Sequence, residues 1–387
     1  MTEPDDKKID LLILGVHLKS ESYPNVLFRI QDLLNHSGLE IQEINVPMWT
    51  ASTQPQHGRK RLFRNPFRVV TSHLEILFRY LRSGYRSSVY IPYPAILLQF
   101  LITLLPARSR PSNIVLDAFI SLYDTIVIDR GLIQRESLLG KLIYRTEKRA
   151  LASADSIIVD TEQNRTYLSE LFGISLEKIH AIPLSTDETT FATTIYNPKN
   201  SICRILFIGT LIPLHGIDVI VKAMDYLRDN SEIEFHIIGT GQDAHILEAY
   251  QQTSPRNMKW TRTWKCSKEL AEEIREADIC LGIFGTSAKT GRICPLKIYA
   301  YSNMGRAIIT ARTEWTESLG AQSAEYFTLV QPGSGREIAE RILELKDSRQ
   351  LRSIQAKNSH RFYQQHMLNS YALERLLRWI EAADSIS

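Results

Sequence analysis

The chain has 387 residues, 44% apolar and 23% charged, the proportions of a folded globular protein with room for two or three domains. A net charge of +3 is too small to argue for a nucleic-acid binder, and the acidic, polar start MTEPDDKKID is no signal peptide. The most apolar run, Ala95–Leu105, lies between Pro94 and Pro106 and contains Gln99 and Thr103. It is too short to span a bilayer, so a cytoplasmic protein is expected.

The first half reads as repeated strand–helix units. Ile9–Val16 is an apolar strand, Asn25–Asn35 has helical spacing with Gly38 as its stop, and Leu39–Val46 is a second strand. Residues 57–86 then carry eight basic side chains (Arg59, Lys60, Arg61, Arg64, Arg68, Arg79, Arg82 and Arg86) against the single acid Glu75. Phe63, Phe67, Leu74, Leu77, Phe78, Tyr80 and Leu81 are interleaved, and are expected to pack in the core as the apolar face of a helix. The arginine excess points to an anionic partner, either a lipid head group, which would make this a peripheral contact with an anionic membrane, or an acceptor phosphate. No RNA-binding motif accompanies it.

Ser88–Pro92 reads as a strand, Pro94–Pro106 as a helix and Asn113–Ala118 as a strand ending at Asp117, where a carboxylate stands at the ligand-binding edge of an open α/β sheet. That makes Asp117 a candidate base or orienting group, against the reading of a satisfied turn carboxylate. Leu139–Ala152 is an amphipathic helix, Asp155–Asp160 a strand, Thr161 the cap of a helix over Glu162–Phe172, and Lys178–Pro183 the last strand of this half. Leu184–Asn200 is polar, Thr-rich and aperiodic, as a linker would be.

Strand–helix alternation restarts at Arg204–Ile208, a strand ended by Gly209. After a loop with Pro213 and Gly216, the segment Ile217–Leu227 has helical spacing. The open amides of such a helix start can receive an anion such as a nucleotide diphosphate. Further strands are read at Glu234–Ile238, Met258–Thr261, Asp278–Gly282, Ala307–Thr310 and Phe327–Val330. Helices are read at Ala244–Gln251, Lys268–Ala277 with Ser267 as cap, Leu296–Met304 and Glu337–Leu345. Ile283–Pro295 is read as a long loop holding Lys289, Gly291 and Arg292. Ser370–Ala383 is a strongly amphipathic terminal helix. Cys203, Cys266, Cys280 and Cys294 lack metal-ligand spacing and read as buried free thiols, and no metal site is expected.

These readings give an α/β chain of two doubly wound, Rossmann-like domains facing a cleft. Residues 1–186 form the first domain, 187–201 the hinge and 202–368 the second domain. Residues 369–387 are a terminal helix packing back toward the first domain. The segments FIGTLIPLHGIDVIVKAM (Phe207–Met224), FHIIGTGQ (Phe235–Gln242), EADICLGIFGTSAKTGRICPLKIYAYSNMGRAIIT (Glu276–Thr310) and IPLSTDETTF (Ile182–Phe191) resemble, in order and spacing, the donor domain of retaining GT-B glycosyltransferases of family 4. The first half resembles that family only in short pieces, VLDAFISLYDT (Val115–Thr125) and EKRALASADSIIVDTE (Glu147–Glu162).

The resemblance implies a metal-independent transferase with no bound cofactor. It would move a sugar from a nucleotide diphosphate, its co-substrate, to a saccharide or lipid-linked acceptor, with retention, in surface polysaccharide or glycolipid assembly. Gly209, Thr210, His215, Gly216 and Lys297 would then hold the donor. Lys289 and Arg292, with Asp117 on the acceptor side, would carry the chemistry. The sequence departs from the family at four places. Thr210 and His215 stand where many members have Arg and Lys, and Arg292 and Ala300 where many have a pair of glutamates, the second binding the donor ribose. A methyl group cannot bind ribose hydroxyls. A non-catalytic partner subunit that kept the fold is the alternative these departures leave, and a sugar-nucleotide epimerase, which shares the two-domain layout, is another.

Overall fold

Twelve short strands, seven of them wholly buried, form two separate parallel sheets in a computed structural model that describes residues 9–21, 23–48, 66–194 and 202–381. Strands covered on both faces must be apolar throughout rather than alternating, which is why they are legible as continuous Val/Ile/Leu runs. The chain divides into two units. Among the described residues, 9–185 and 369–381 form the first and 186–368 the second.

The first unit holds β1 (Leu11–Gly15), β2 (Ile41–Asn45), β3 (Ser88–Ile91), β4 (Asn113–Asp117), β5 (Ser156–Val159) and β6 (Ile179–Ala181), in the order β2-β1-β3-β4-β5-β6. Its helices are α1 (Pro24–His36), α2 (Pro66–Ser83), α3 (Ile96–Ile102), α4 (Leu138–Ala152) and α5 (Glu162–Phe172). Thr161 caps α5 by accepting from the Asn164 amide at 3.1 Å. Residues 124–129 form a short π-helical turn. One face of the sheet is covered by α2 to α5, whose core includes Ile76, Tyr80, Leu98, Leu151 and Phe172. The other carries α1 and α15 (Asn369–Glu381), with Val26, Ile30 and Leu33 against Leu373, Leu376 and Ile380. Trp379 of α15 stacks on His180 at 3.4 Å between ring centroids.

The second unit holds β7 (Cys203–Ile208), β8 (Ile233–Ile238), β9 (Met258–Thr261), β10 (Ile279–Leu281), β11 (Ala307–Ala311) and β12 (Thr328–Val330), in the order β12-β11-β10-β7-β8-β9. The helices between them are α6 (Ile217–Tyr226), α7 (Ala244–Gln251), α8 (Ser267–Glu276), α9 (Ala288–Arg292), α10 (Leu296–Asn303), α11 (Glu314–Ser318) and α12 (Ser323–Tyr326). α13 (Gly335–Asp347) and α14 (Arg349–His366) follow β12. Consecutive parallel strands reverse direction of addition between β7 and β10, and in the first sheet between β1 and β3. Those switch points, at the carboxyl ends of the strands, are where open sheets receive ligands.

Several expectations are corrected. Cys266, not Ser267, precedes the first turn of α8, and its amide is capped by the Glu269 carboxylate at 2.9 Å. The same cysteine is exposed, while Cys203, Cys280 and Cys294 are buried. The long loop 283–295 contains α9, and two helical stretches, α11–α12 and α14, have no counterpart in the sequence reading. The apolar residues of 57–86 do not share one buried face: Tyr80 is buried and Leu77 partly so, but Phe67, Leu74, Phe78 and Leu81 are exposed. Arg59, Lys60, Arg61, Phe63 and Arg64 lie outside the described residues, as do hinge positions 195–201. Among the described residues no helix is long and apolar enough to cross a membrane.

Candidate functional site

The switch point of the second sheet is enclosed by the loop after β7 and the loop after β10, and backbone hydrogen bonds tie the two together. The Phe284 amide donates to the His215 carbonyl at 3.2 Å and the Gly285 amide to that of Leu214 at 3.3 Å. The Thr290 hydroxyl, on α9, also donates to the Leu214 carbonyl at 3.3 Å. Gly216 makes this approach possible. It has a φ of +67°, and a Cβ there would lie 2.6 Å from the Gly285 nitrogen and 2.7 Å from the Phe284 carbonyl carbon. Only glycine fits both the left-handed backbone and the contact. Gly216 also begins α6, so the positive end of that helix opens onto the same loops.

Lys297 comes to the same place from α10. Lys297 and Tyr301 are one turn apart and face the end of β7 together. The Ile208 amide donates to the fully buried Tyr301 hydroxyl at 3.0 Å. The Lys297 ammonium sits 3.8 Å from the centroid of the Phe207 ring and donates to the Gly282 carbonyl at 3.4 Å. Among the described residues no carboxylate lies within ion-pair distance of it. Burial therefore pushes the Lys297 amine well below its ordinary value, with no counter-charge to restore it. An amine so desolvated keeps its proton more readily when an anion stands beside it.

His215 packs edge-on against the same Phe207 ring at 5.8 Å, and its Nδ1 donates to the Thr210 carbonyl. Gly209 lies between these two side chains: a Cβ on it would meet Lys297 Nζ at 2.8 Å and the His215 ring at 3.1 Å. Its amide is already engaged, donating to the Ile238 carbonyl at 3.0 Å. Glycine is needed here for space. Gly209, Thr210, His215, Gly216 and Lys297 are thus brought together. Lys289 and Arg292 stand on α9, which packs against the 213–215 turn; Arg292 is buried and Lys289 half-buried. Phe207, the ring beneath the ammonium, was not singled out by sequence reasoning. The signal was the Lys297–Tyr301 spacing on a helix that returns to the strand end. Ala300 is buried on α10.

Asp117 belongs to the first unit and is corrected as a candidate base. It is 1% exposed, and its Oδ2 accepts from Arg29 Nη1 and from the Tyr90 hydroxyl, both at 2.8 Å, while Oδ1 accepts from the Phe119 amide at 3.3 Å. A carboxylate so occupied is a structural counter-ion. At the switch point of this sheet stands His17, buried, with Nε2 3.1 Å from Glu43 Oε1, and Lys19 holds the other oxygen of Glu43 at 2.5 Å. Glu147 is fully buried and accepts from the Leu122 and Tyr123 amides at 3.1 and 2.7 Å; burial pushes its carboxyl up to about 7. Among the described residues no group of three or more His, Cys, Asp or Glu is arranged to hold a metal ion.

Fold and site together define an α/β protein with an anion-receptive loop cluster at the switch point of its second sheet. Residues 203–348 match the family model described as "Glycosyl transferases group 1". A D-inositol 3-phosphate glycosyltransferase of Xylanimonas cellulosilytica is 27% identical over 153 residues, 34% of this chain and 36% of that protein. The chain therefore matches about a third of the length of this curated relative. Sucrose-phosphate synthase from Thermosynechococcus elongatus shares the fold with a TM-score of 0.73 at 13% identity, over 97% of this chain and 100% of that one. Anabaena HepE in complex with UDP-glucose does so with a TM-score of 0.66 at 11% identity, over 96% and 99%. The likeness to that family model lies within the C-terminal unit, and the chain as a whole carries the GT-B fold.

Proposed function

We propose that the protein is a retaining glycosyltransferase that moves a sugar from a nucleotide diphosphate, with UDP as the favoured carrier, to a hydroxyl of a saccharide or lipid-linked acceptor, in the assembly of a surface polysaccharide or glycolipid. The observation that carries this reading is the Lys297 ammonium, buried beside Gly209 and His215 with a carbonyl and a ring face as its partners. In the reaction the anomeric C–O bond to the diphosphate breaks, and a new C–O bond forms to the acceptor oxygen on the same face. The acceptor proton leaves with the diphosphate. Negative charge grows on the leaving oxygen, and preorganised hydrogen-bond donors at that point lower the barrier more than they stabilise the ground state. Lys297 and His215 are the groups assigned to the diphosphate, with Lys289 and Arg292 assigned from α9. Asp117 takes no part, since its oxygens are engaged by Arg29, Tyr90 and Phe119.

The expected result is transfer or donor hydrolysis without added divalent ion, lost in Lys289→Ala; unchanged activity in that variant removes Lys289 from the site. A second reading, a non-catalytic partner subunit, is favoured by the methyl group of Ala300, which offers nothing to a ribose. Calorimetry against UDP, UDP-glucose and other nucleotide diphosphates separates the two, and an absence of binding to all of them supports the second.

A further inference from the structure

We propose that α2 is an interfacial helix by which the protein lies on an anionic lipid bilayer. Its inner face is accounted for: Ile76 and Tyr80 are fully buried against the sheet, beside His73 and Ser72. Phe67, Val70, Leu74, Phe78 and Leu81 are exposed, with Phe67 at 77% and Phe78 at 63%. Their spacing of three and four residues sets them in one stripe along the outside of the helix, away from the core. An uncovered stripe of large apolar side chains is the mark of an interaction surface.

Charge selects the occupant. On a helical projection Arg82, Arg68 and Arg79 form a row along one flank of the stripe. The only acid of the segment, Glu75, is already paired with Arg79 at 2.5 Å. Apolar side chains beside a basic row fit acyl chains beneath anionic head groups. A second copy fits poorly, because a two-fold pairing of stripes would bring two arginine rows together with only Glu75 to answer them. The proposal is independent of sugar transfer.

Flotation of the full chain with vesicles tests it. The protein should float with phosphatidylcholine vesicles containing phosphatidylglycerol and not with phosphatidylcholine alone. Binding should weaken toward 1 M salt, where the Debye length falls to about 3 Å. The exposed-site variant Phe67→Ser/Leu74→Ser/Phe78→Ser should stay with the soluble fraction. Arg79→Gln/Arg82→Gln should bind roughly 25-fold more weakly, at about fivefold per arginine. Both variants should keep the wild-type thermal shift with UDP, which separates a failure of this surface from a failure of the donor site. The proposal is overturned if the wild-type chain does not float, if it binds both vesicle types equally, or if the serine variant still binds. It is also overturned if light scattering shows a dimer that the serine variant dissociates, since a second copy then covers the stripe.

Discussion

Replacing Lys297 by methionine should move ligand affinity and protein stability in opposite directions. Methionine keeps the length of the side chain and can rest on Phe207, but removes a charge whose only polar partner among the described residues is the Gly282 carbonyl at 3.4 Å. A hydrogen bond to a charged group contributes about 1.5–3 kcal/mol, so UDP should bind roughly ten- to a hundredfold more weakly. The unliganded variant should unfold at higher urea, because no buried, unpaired cation remains. A pH series adds a second signature. The amine is pushed below its ordinary 10.5 in the folded chain, so between the two values the unfolded chain holds more protons and stability rises with pH. Methionine should flatten that rise. In the wild type, a bound diphosphate restores the ammonium, so UDP binding should take up a proton in the same window. Titration calorimetry in buffers of different ionisation enthalpy measures this uptake. Wild-type UDP affinity and unchanged proton uptake in Lys297→Met would refute the assignment.

Three further outcomes follow from the geometry. Gly216→Ala should cost more than about 3 kcal/mol in urea unfolding, since its Cβ meets backbone at 2.6 Å; Gly38→Ala, at φ +75° with nothing within 4 Å, should cost only about 1 kcal/mol. Arg29→Met should destabilise by about 3–5 kcal/mol by leaving Asp117 buried and unpaired, and adding Asp117→Leu should recover a large part of that loss. Glu147 titrates in the folded chain at about 7, above its ordinary 4.5. Its contribution is fully present below pH 4.5 and lost as pH rises through 7, a span of order 3 kcal/mol. Glu147→Gln should flatten the stability profile over that window.

The sequence by itself determined the α/β class, the run of parallel strands and the glycine-punctuated loops, because strands buried on both faces must be apolar along their whole length and such runs are visible one residue at a time. α5, α7 and β9 end where periodicity placed them, since their caps and breakers are local. α14 escaped because its buried face is polar. Arg352 donates to the Leu345 and Lys346 carbonyls, Ser359 to that of Arg306 at 2.7 Å, and Gln355 to the Thr328 hydroxyl. Helical period is present at 352, 355, 356, 359, 362 and 363, but apolar period is not. The site followed the same division. Gly209, His215 and Gly216 were legible as a strand-to-helix turn. What only the tertiary structure decided was that Lys297 on α10 reaches the same strand end without a counter-ion, that the Gly209 amide is already engaged, and that Asp117 is held by Arg29. Charge pairing and burial depend on which distant segments meet, and no window of neighbouring residues carries that information.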